Sequence, residues 1–137
     1  MSEQSVEVVK RAYAALAEGD VPAVLGMFSE DIEWQEAEGM PYGGVHRGGE
    51  AVTQNVFGPI SEDVEGFALI PEEFMATGDT VAVIVRYTGT GKVSRKPLDL
   101  PVVHVWDIED GKAVRFRQFI DTVKFADVVP AADSVAA

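Results

Sequence analysis

Helical periodicity occupies the first half of this chain and period-two alternation fills the second, an order that restricts the fold to helices followed by a strand meander. From Val6 the apolar positions Val6, Val9, Tyr13 and Leu16 step by three or four, with Ala12 beside them, up to a stop at Gly19. Asp20 is placed to cap a second, short helix, with Pro22 in its first turn, Val24, Leu25 and Phe28 as its buried face and an end near Ser29. The period then changes. Ile32, Trp34 and Glu36 alternate with polar residues and predict a strand with these three on one face. Gly39 to Gly44 reads as loop, and Val52, Val56, Phe57 and Ile60 predict a third helix, kinked at Gly58-Pro59.

Four strands are expected beyond that point: Phe67 to Thr77, Thr80 to Thr88, Leu98 to Ile108 and Ala113 to Asp121. Turns fall at Gly78-Asp79 and at Asp110-Gly111, the latter suited to the left-handed conformation of a tight hairpin. The expected class is α+β, an antiparallel sheet with helices packed on one face. Val81 to Val85 is apolar on both faces, so the face away from the helices needs a cover, for which a second copy of the chain is the simplest candidate.

A chain of 137 residues with 47% hydrophobic content is sized for one domain, here 1–137 with a core of about 6–128. It has no cysteine, which removes disulfides, thiolate zinc sites and a cysteine nucleophile. Asp and Glu outnumber Lys and Arg by 23 to 11, a formal charge of -12 that repels phosphate backbones and anionic lipid, so neither nucleic acid nor membrane is an expected partner. The first residues lack the basic and apolar regions of a signal peptide, and the expectation is a cytoplasmic protein. His46 and His104 show no metal-ligand spacing with the carboxylates, and no phosphate-cradling glycine loop is present; no metal or cofactor is expected.

Several segments, in order, carry a resemblance: Ala14-Ala15-Leu16-Ala17-Glu18-Gly19-Asp20, Tyr42-Gly43-Gly44-Val45-His46-Arg47-Gly48, Val103-His104-Val105-Trp106, then Asp110-Gly111-Lys112 and Phe116 to Thr122. Together they resemble SnoaL-like, ketosteroid-isomerase-related proteins of the nuclear-transport-factor-2-like superfamily. The resemblance spans roughly Val6 to Val128. It implies a curved sheet wrapped around N-terminal helices in a cone, an internal pocket and frequently a homodimer. It implies no single chemistry, since such proteins include isomerases, cyclases, hydrolases and non-catalytic members.

Glu36 is the leading catalytic candidate, because alternation puts its carboxylate beside Ile32 and Trp34, where desolvation raises a carboxyl toward a general base's range. The resemblance places it where ketosteroid isomerases carry their base; an exposed carboxylate at a strand end is the competing reading. The isomerases' oxyanion hole, a tyrosine with a protonated aspartic acid, falls here on Ala12 and Val103, so steroid isomerisation by that route is not expected. Gln118 is a lone polar group on an apolar strand face and stands where related cyclases and epoxide hydrolases carry an aspartate. It can orient a carbonyl or a water but cannot transfer protons, and a glutamine satisfied by neighbouring backbone is the competing reading. His104 matches a histidine of the cyclases' site. A two-residue turn at Asp110-Gly111 would instead pair Val103 with Gln118 and put His104, Trp106 and Phe119 on the opposite face, in a dimer interface, unless a bulge reverses the alternation. Asp121 is subject to the same argument. Arg86 lies near a catalytic arginine of the epoxide-hydrolase-like relatives, whose following aspartate is Thr88 here. With Tyr13, Trp34, Tyr42 and Phe116 it completes the expected substrate-binding set, the aromatic rings suiting a flat organic ligand.

Two readings follow. One is a cofactor-independent isomerase, cyclase or hydrolase acting on a small hydrophobic molecule in the pocket, and the other is a non-catalytic binding or dimerisation module of the same fold. A protein–protein adaptor draws no specific support from these residues.

Overall fold

The computed structural model describes residues 2–130. Helix α1 (Ser2–Ala17) carries the expected stripe, burying Val8, Val9, Ala12, Tyr13 and Ala15. It ends where Gly19, at φ +70°, donates to Leu16 O and Asp20 N–H reaches back to Ala15 O, the paired closure that a left-handed glycine permits. Asp20 then accepts from Ala23 N at 3.1 Å and caps α2 (Val21–Leu25), with Pro22 in the first turn. Strand β1 (Phe28–Glu36) begins earlier than the alternation suggests, so the second helix stops short of Phe28.

A short strand β2 (Gly44–Arg47), which the residue pattern does not predict, pairs with β1. The third helical segment comprises α3 (Gly49–Val52), a wide π-helical turn (Thr53–Phe57) and α4 (Gly58–Asp63). Pro59 explains the turn: it has no N–H to offer the preceding carbonyls, and Gly58 N–H bonds Thr53 O, five residues back. The chain continues through β3 (Val64–Thr77), β4 (Thr80–Gly91), β5 (Pro97–Glu109) and β6 (Lys112–Ile120) to α5 (Thr122–Val128). The last helix was not expected from periodicity.

The six strands form one curved, unclosed sheet in the order β2-β1-β6-β5-β4-β3. Strands β3 to β6 are the expected antiparallel meander, but β1 joins β6 in parallel, with Trp34 opposite Phe116. Helix α1 lies against β3, β4, β5 and β6. On that inner side β4 buries Val81, Val83, Val85 and Tyr87, and burying each valine contributes roughly 1.5–3 kcal/mol. No helix among the described residues is long and apolar enough to cross a membrane.

The β5–β6 hairpin decides which side chains face the helices. Asp110 (φ +51°) and Gly111 (φ +76°) form the expected two-residue turn, with Glu109 opposite Lys112 and Ile108 opposite Ala113. Asp107 then faces Arg115, so Val114 is an extra residue on β6. This bulge shifts the register by one, pairing His104 with Gln118 and Trp106 with Phe116, all four buried on the inner side. The expected outer position of His104 and Trp106 is therefore corrected; Phe119, 50% exposed, does stay outside. The outer face carries two short apolar runs, Met75–Ala82–Val105, which continues to Arg117, and Ile84–Val103–Phe119, which begins at Glu73, beside a charged row of Asp107, Arg115, Glu33 and Arg47.

Candidate functional site

A pocket of about 410 Å³ lies between the inner sheet surface and the helices. Its floor is aromatic: Tyr13 from α1, Trp34 from β1, Tyr87 from β4, Trp106 from β5 and Phe116 from β6, with Glu36 and His104 among them. Trp34 stacks on Phe116 with ring centres 3.6 Å apart, and Trp106 meets both edge-on, which holds these planes in fixed orientations. The α1–α2 turn (Leu16 to Val21) and Ser61 of α4 form part of the wall, and Ala17 to Asp20 and Ser61 are exposed, so the pocket opens to solvent there. The volume and the mostly apolar lining suit a small organic molecule.

Glu36 ends β1 at 2% exposure. Strand alternation points Glu36 and Trp34 the same way, and the Trp34 indole N–H donates to Glu36 Oε1 at 2.9 Å. Glu36 Oε2 is buried without a hydrogen-bond partner. Burial pushes the carboxyl up to about 7, against the opposing help of the Trp34 N–H and of the nearby Gln118 amide, which makes no hydrogen bond to the carboxylate. A group at that value exchanges protons near neutrality.

The imidazole of His104 lies between two phenols. Tyr13 Oη is 2.6 Å from its Nδ1 and Tyr87 Oη is 2.7 Å from its Nε2. Each phenol oxygen also accepts from behind: Trp106 Nε1–H donates to Tyr13 at 3.0 Å and the Gln118 amide to Tyr87 at 2.9 Å. Burial lowers His104 to about 3 and raises both tyrosines, so all three are neutral at physiological pH.

Glu36, His104, Tyr13, Trp34 and Phe116 thus meet at one pocket. Four expectations are corrected. Gln118 does not line the pocket; its Oε1 accepts from Ala37 N at 3.1 Å while its amide holds Tyr87, so it positions rather than contacts. Tyr42 is buried away from the pocket with its hydroxyl donating to Asp63 at 2.8 Å. Arg86 points to the outer face, paired with Asp99 at 2.8 Å and Glu72 at 3.4 Å, because it alternates against Val85 and Tyr87. Asp121 is an exposed cap for α5, accepting from Lys124 N at 3.0 Å.

Tyr87 is the residue that sequence reasoning missed. The signal was present: it shares a strand face with Val81, Val83 and Val85, and a lone hydroxyl on such a face requires a buried partner. Among the described residues no group of three or more His, Asp and Glu side chains is arranged to hold a metal ion.

Comparison with known proteins gives a coherent picture. The model of the SnoaL-like domain matches residues 9–116. An NTF2-like protein from Burkholderia pseudomallei is 30% identical over 96% of this chain and 100% of its own, with a TM-score of 0.86. One from Burkholderia thailandensis is 33% identical over 90% and 95%, with a TM-score of 0.87. TerC, co-crystallised with polyporic acid, is 27% identical over 93% and 99%, with a TM-score of 0.85. No curated protein matches the chain. With the family model spanning most of the chain and the same sheet-and-helix architecture in these relatives, the chain belongs to the SnoaL-like domain family and has the nuclear-transport-factor-2-like fold.

Proposed function

We propose that this protein is a cofactor-independent acid–base enzyme, catalysing an isomerisation, cyclisation or hydrolysis of a small, mainly apolar molecule, with Glu36 moving the proton. The observation that carries this reading is the Glu36 carboxyl: one oxygen held by Trp34, the other unpartnered, both buried at an aromatic pocket. A buried acceptor with no protein partner is costly unless a ligand or water meets it, and burial places its proton affinity where both states are populated at neutral pH. The meeting of TerC with polyporic acid supports a small organic molecule as the class of ligand. The test is carboxyl-carbon nuclear magnetic resonance (NMR) of Glu36, with a midpoint near 7 supporting the role and one near 4.5 sinking it.

The competing reading is a binding module without catalysis. It draws support from Gln118, an amide satisfied by Ala37 and Tyr87, and from a His104 ring kept neutral. Ligand affinity that is unchanged in Glu36→Gln, with a normal Glu36 titration, would favour it. The partner expected on either reading is a second copy of the chain, covering the apolar rows around Ile84, Val103 and Phe119.

A further inference from the structure

The chain Trp106–Tyr13–His104–Tyr87–Gln118 contains four hydrogen-bond contacts. Two of them have fixed direction, because the indole N–H and the amide N–H can only donate to a phenol oxygen. The two contacts on the imidazole must share three hydrogens: one on each phenol and one on the neutral ring. Three hydrogens for two contacts leave one over. If His104 carries its proton on Nδ1, it donates to Tyr13, Tyr87 donates to Nε2, and the hydrogen of Tyr13 is surplus. With the proton on Nε2 the roles reverse and the hydrogen of Tyr87 is surplus. Neither hydroxyl has a further protein partner among the described residues, and both tyrosines line the pocket.

We infer that His104 is a tautomer relay that leaves one phenolic O–H, that of Tyr13 or of Tyr87, to donate into the pocket, and that the ligand carries a carbonyl or oxyanion oxygen to receive it. The inference rests on the proposed use of this pocket for proton transfer and adds the class of group that transfer acts beside. Glu36 supplies the group that gains or loses a proton, and the phenol supplies the donor for an oxygen whose negative charge grows as the proton leaves its neighbour. The relay moves no net charge. Passing from one tautomer to the other moves the ring proton to one phenol and the other phenol's proton to the ring along the existing hydrogen bonds. A water or the ligand oxygen in the pocket carries the surplus hydrogen from the first phenol to the second, which changes the phenol that faces the ligand.

Long-range ¹H–¹⁵N NMR of the imidazole reads the tautomer directly, with His46→Gln identifying the His104 signals. The expected wild-type spectrum is that of a neutral ring. Tyr13→Phe should fix the proton on Nε2 and Tyr87→Phe on Nδ1, because the ring keeps its N–H where an acceptor remains. Of two probes with the same ring system, 2-acetylnaphthalene should bind about tenfold more tightly than 2-ethylnaphthalene, the worth of one buried hydrogen bond. Only the ketone should shift the tautomer ratio, and the doubly substituted Tyr13→Phe/Tyr87→Phe protein should lose the preference. If that double variant does not fold, the wild-type spectra with the two probes still decide. A His104 tautomer that ignores both single substitutions overturns the relay. Equal affinity for the two probes, or no binding of either at millimolar concentration, overturns the assigned ligand class. A Glu36 midpoint near 4.5 with the relay intact would instead count against the proton-transfer reading alone.

Discussion

Trp34 donates its indole N–H to the carboxylate of Glu36, two positions along the same strand, at 2.9 Å. This bond favours the charged carboxylate while burial opposes it, and burial is the larger effect. Replacing Trp34 with Phe removes the favourable contribution and leaves the burial. The expected outcome is a Glu36 midpoint above that of wild type, measured on the side-chain carboxyl carbon. A downward shift would show that water enters when the indole N–H is lost.

Glu36 and His104 give opposing contributions to stability as pH changes. Glu36 titrates near 4.5 when unfolded and about 7 when folded, so the folded state binds the extra proton and its stabilising contribution is lost as pH rises through that window. The amount is about 3 kcal/mol. His104 goes from 6.5 unfolded to about 3 folded; its contribution is present above 6.5 and is lost as pH falls toward 3. Between about 4.5 and 6.5 the two slopes cancel. Denaturant titrations should show Glu36→Gln gaining stability relative to wild type from pH 4.5 to 7, and His104→Asn losing the acid sensitivity. Parallel pH curves for wild type and Glu36→Gln would contradict the assignment.

Deletion of Val114 tests the bulge. The shortened strand would be a simple two-residue hairpin in which Asp107 still faces Arg115, Trp106 still faces Phe116 and His104 still faces Gln118, so Phe116 and Gln118 keep the inner face. We expect the deletion to retain cooperative unfolding at a cost of about 0.5–3 kcal/mol, with Val114→Ala costing less than about 1.5 kcal/mol. Loss of cooperative unfolding in the deletion would show that the pairing beyond the turn does not survive without the bulge.

The outer sheet face separates two kinds of residue. Arg86→Ala removes half-exposed ion pairs with Asp99 and Glu72 and should change stability by less than about 1 kcal/mol, with no effect on probe affinity in the pocket. Phe119→Asp places a charge in the apolar row with Ile84 and Val103. Sedimentation equilibrium should give a dimer for wild type and a monomer for this variant. A wild-type monomer at micromolar concentration would remove the second copy as the cover for this face.

Much of this architecture is legible in the residue pattern, and the exceptions have physical causes. The alternation of Val81, Val83 and Val85 and the Asp110-Gly111 turn locate β4 and the β5–β6 hairpin because period and turn chemistry act locally. The side chain orientation of His104 was not accessible the same way. It depends on one extra residue, and Val114 is a β-branched apolar residue that fits a strand equally well in or out of register. Strand β2 has four residues preceded by glycine, too few to show a period. Glu36 stood out because its neighbours are apolar, whereas Arg86 and Asp121 were proposed by likeness to relatives and proved to serve an ion pair and a helix cap.

The parallel pairing of β1 with β6 also bears on synthesis and folding. The strand bearing Trp34 and Glu36 is made early, and the strand bearing Phe116 and Gln118 is the last of the sheet. A nascent chain that has emerged only as far as β5 can close the local β3–β4–β5 meander, but β1 has no neighbour in the sheet order other than β2 until β6 arrives. Joining strands so distant in sequence carries a loop-closure cost that local hairpins avoid. The pocket floor can therefore be completed only after β6 has emerged, and a chain truncated before Lys112 would be left with Tyr13, Glu36 and His104 but without the strand that brings them together.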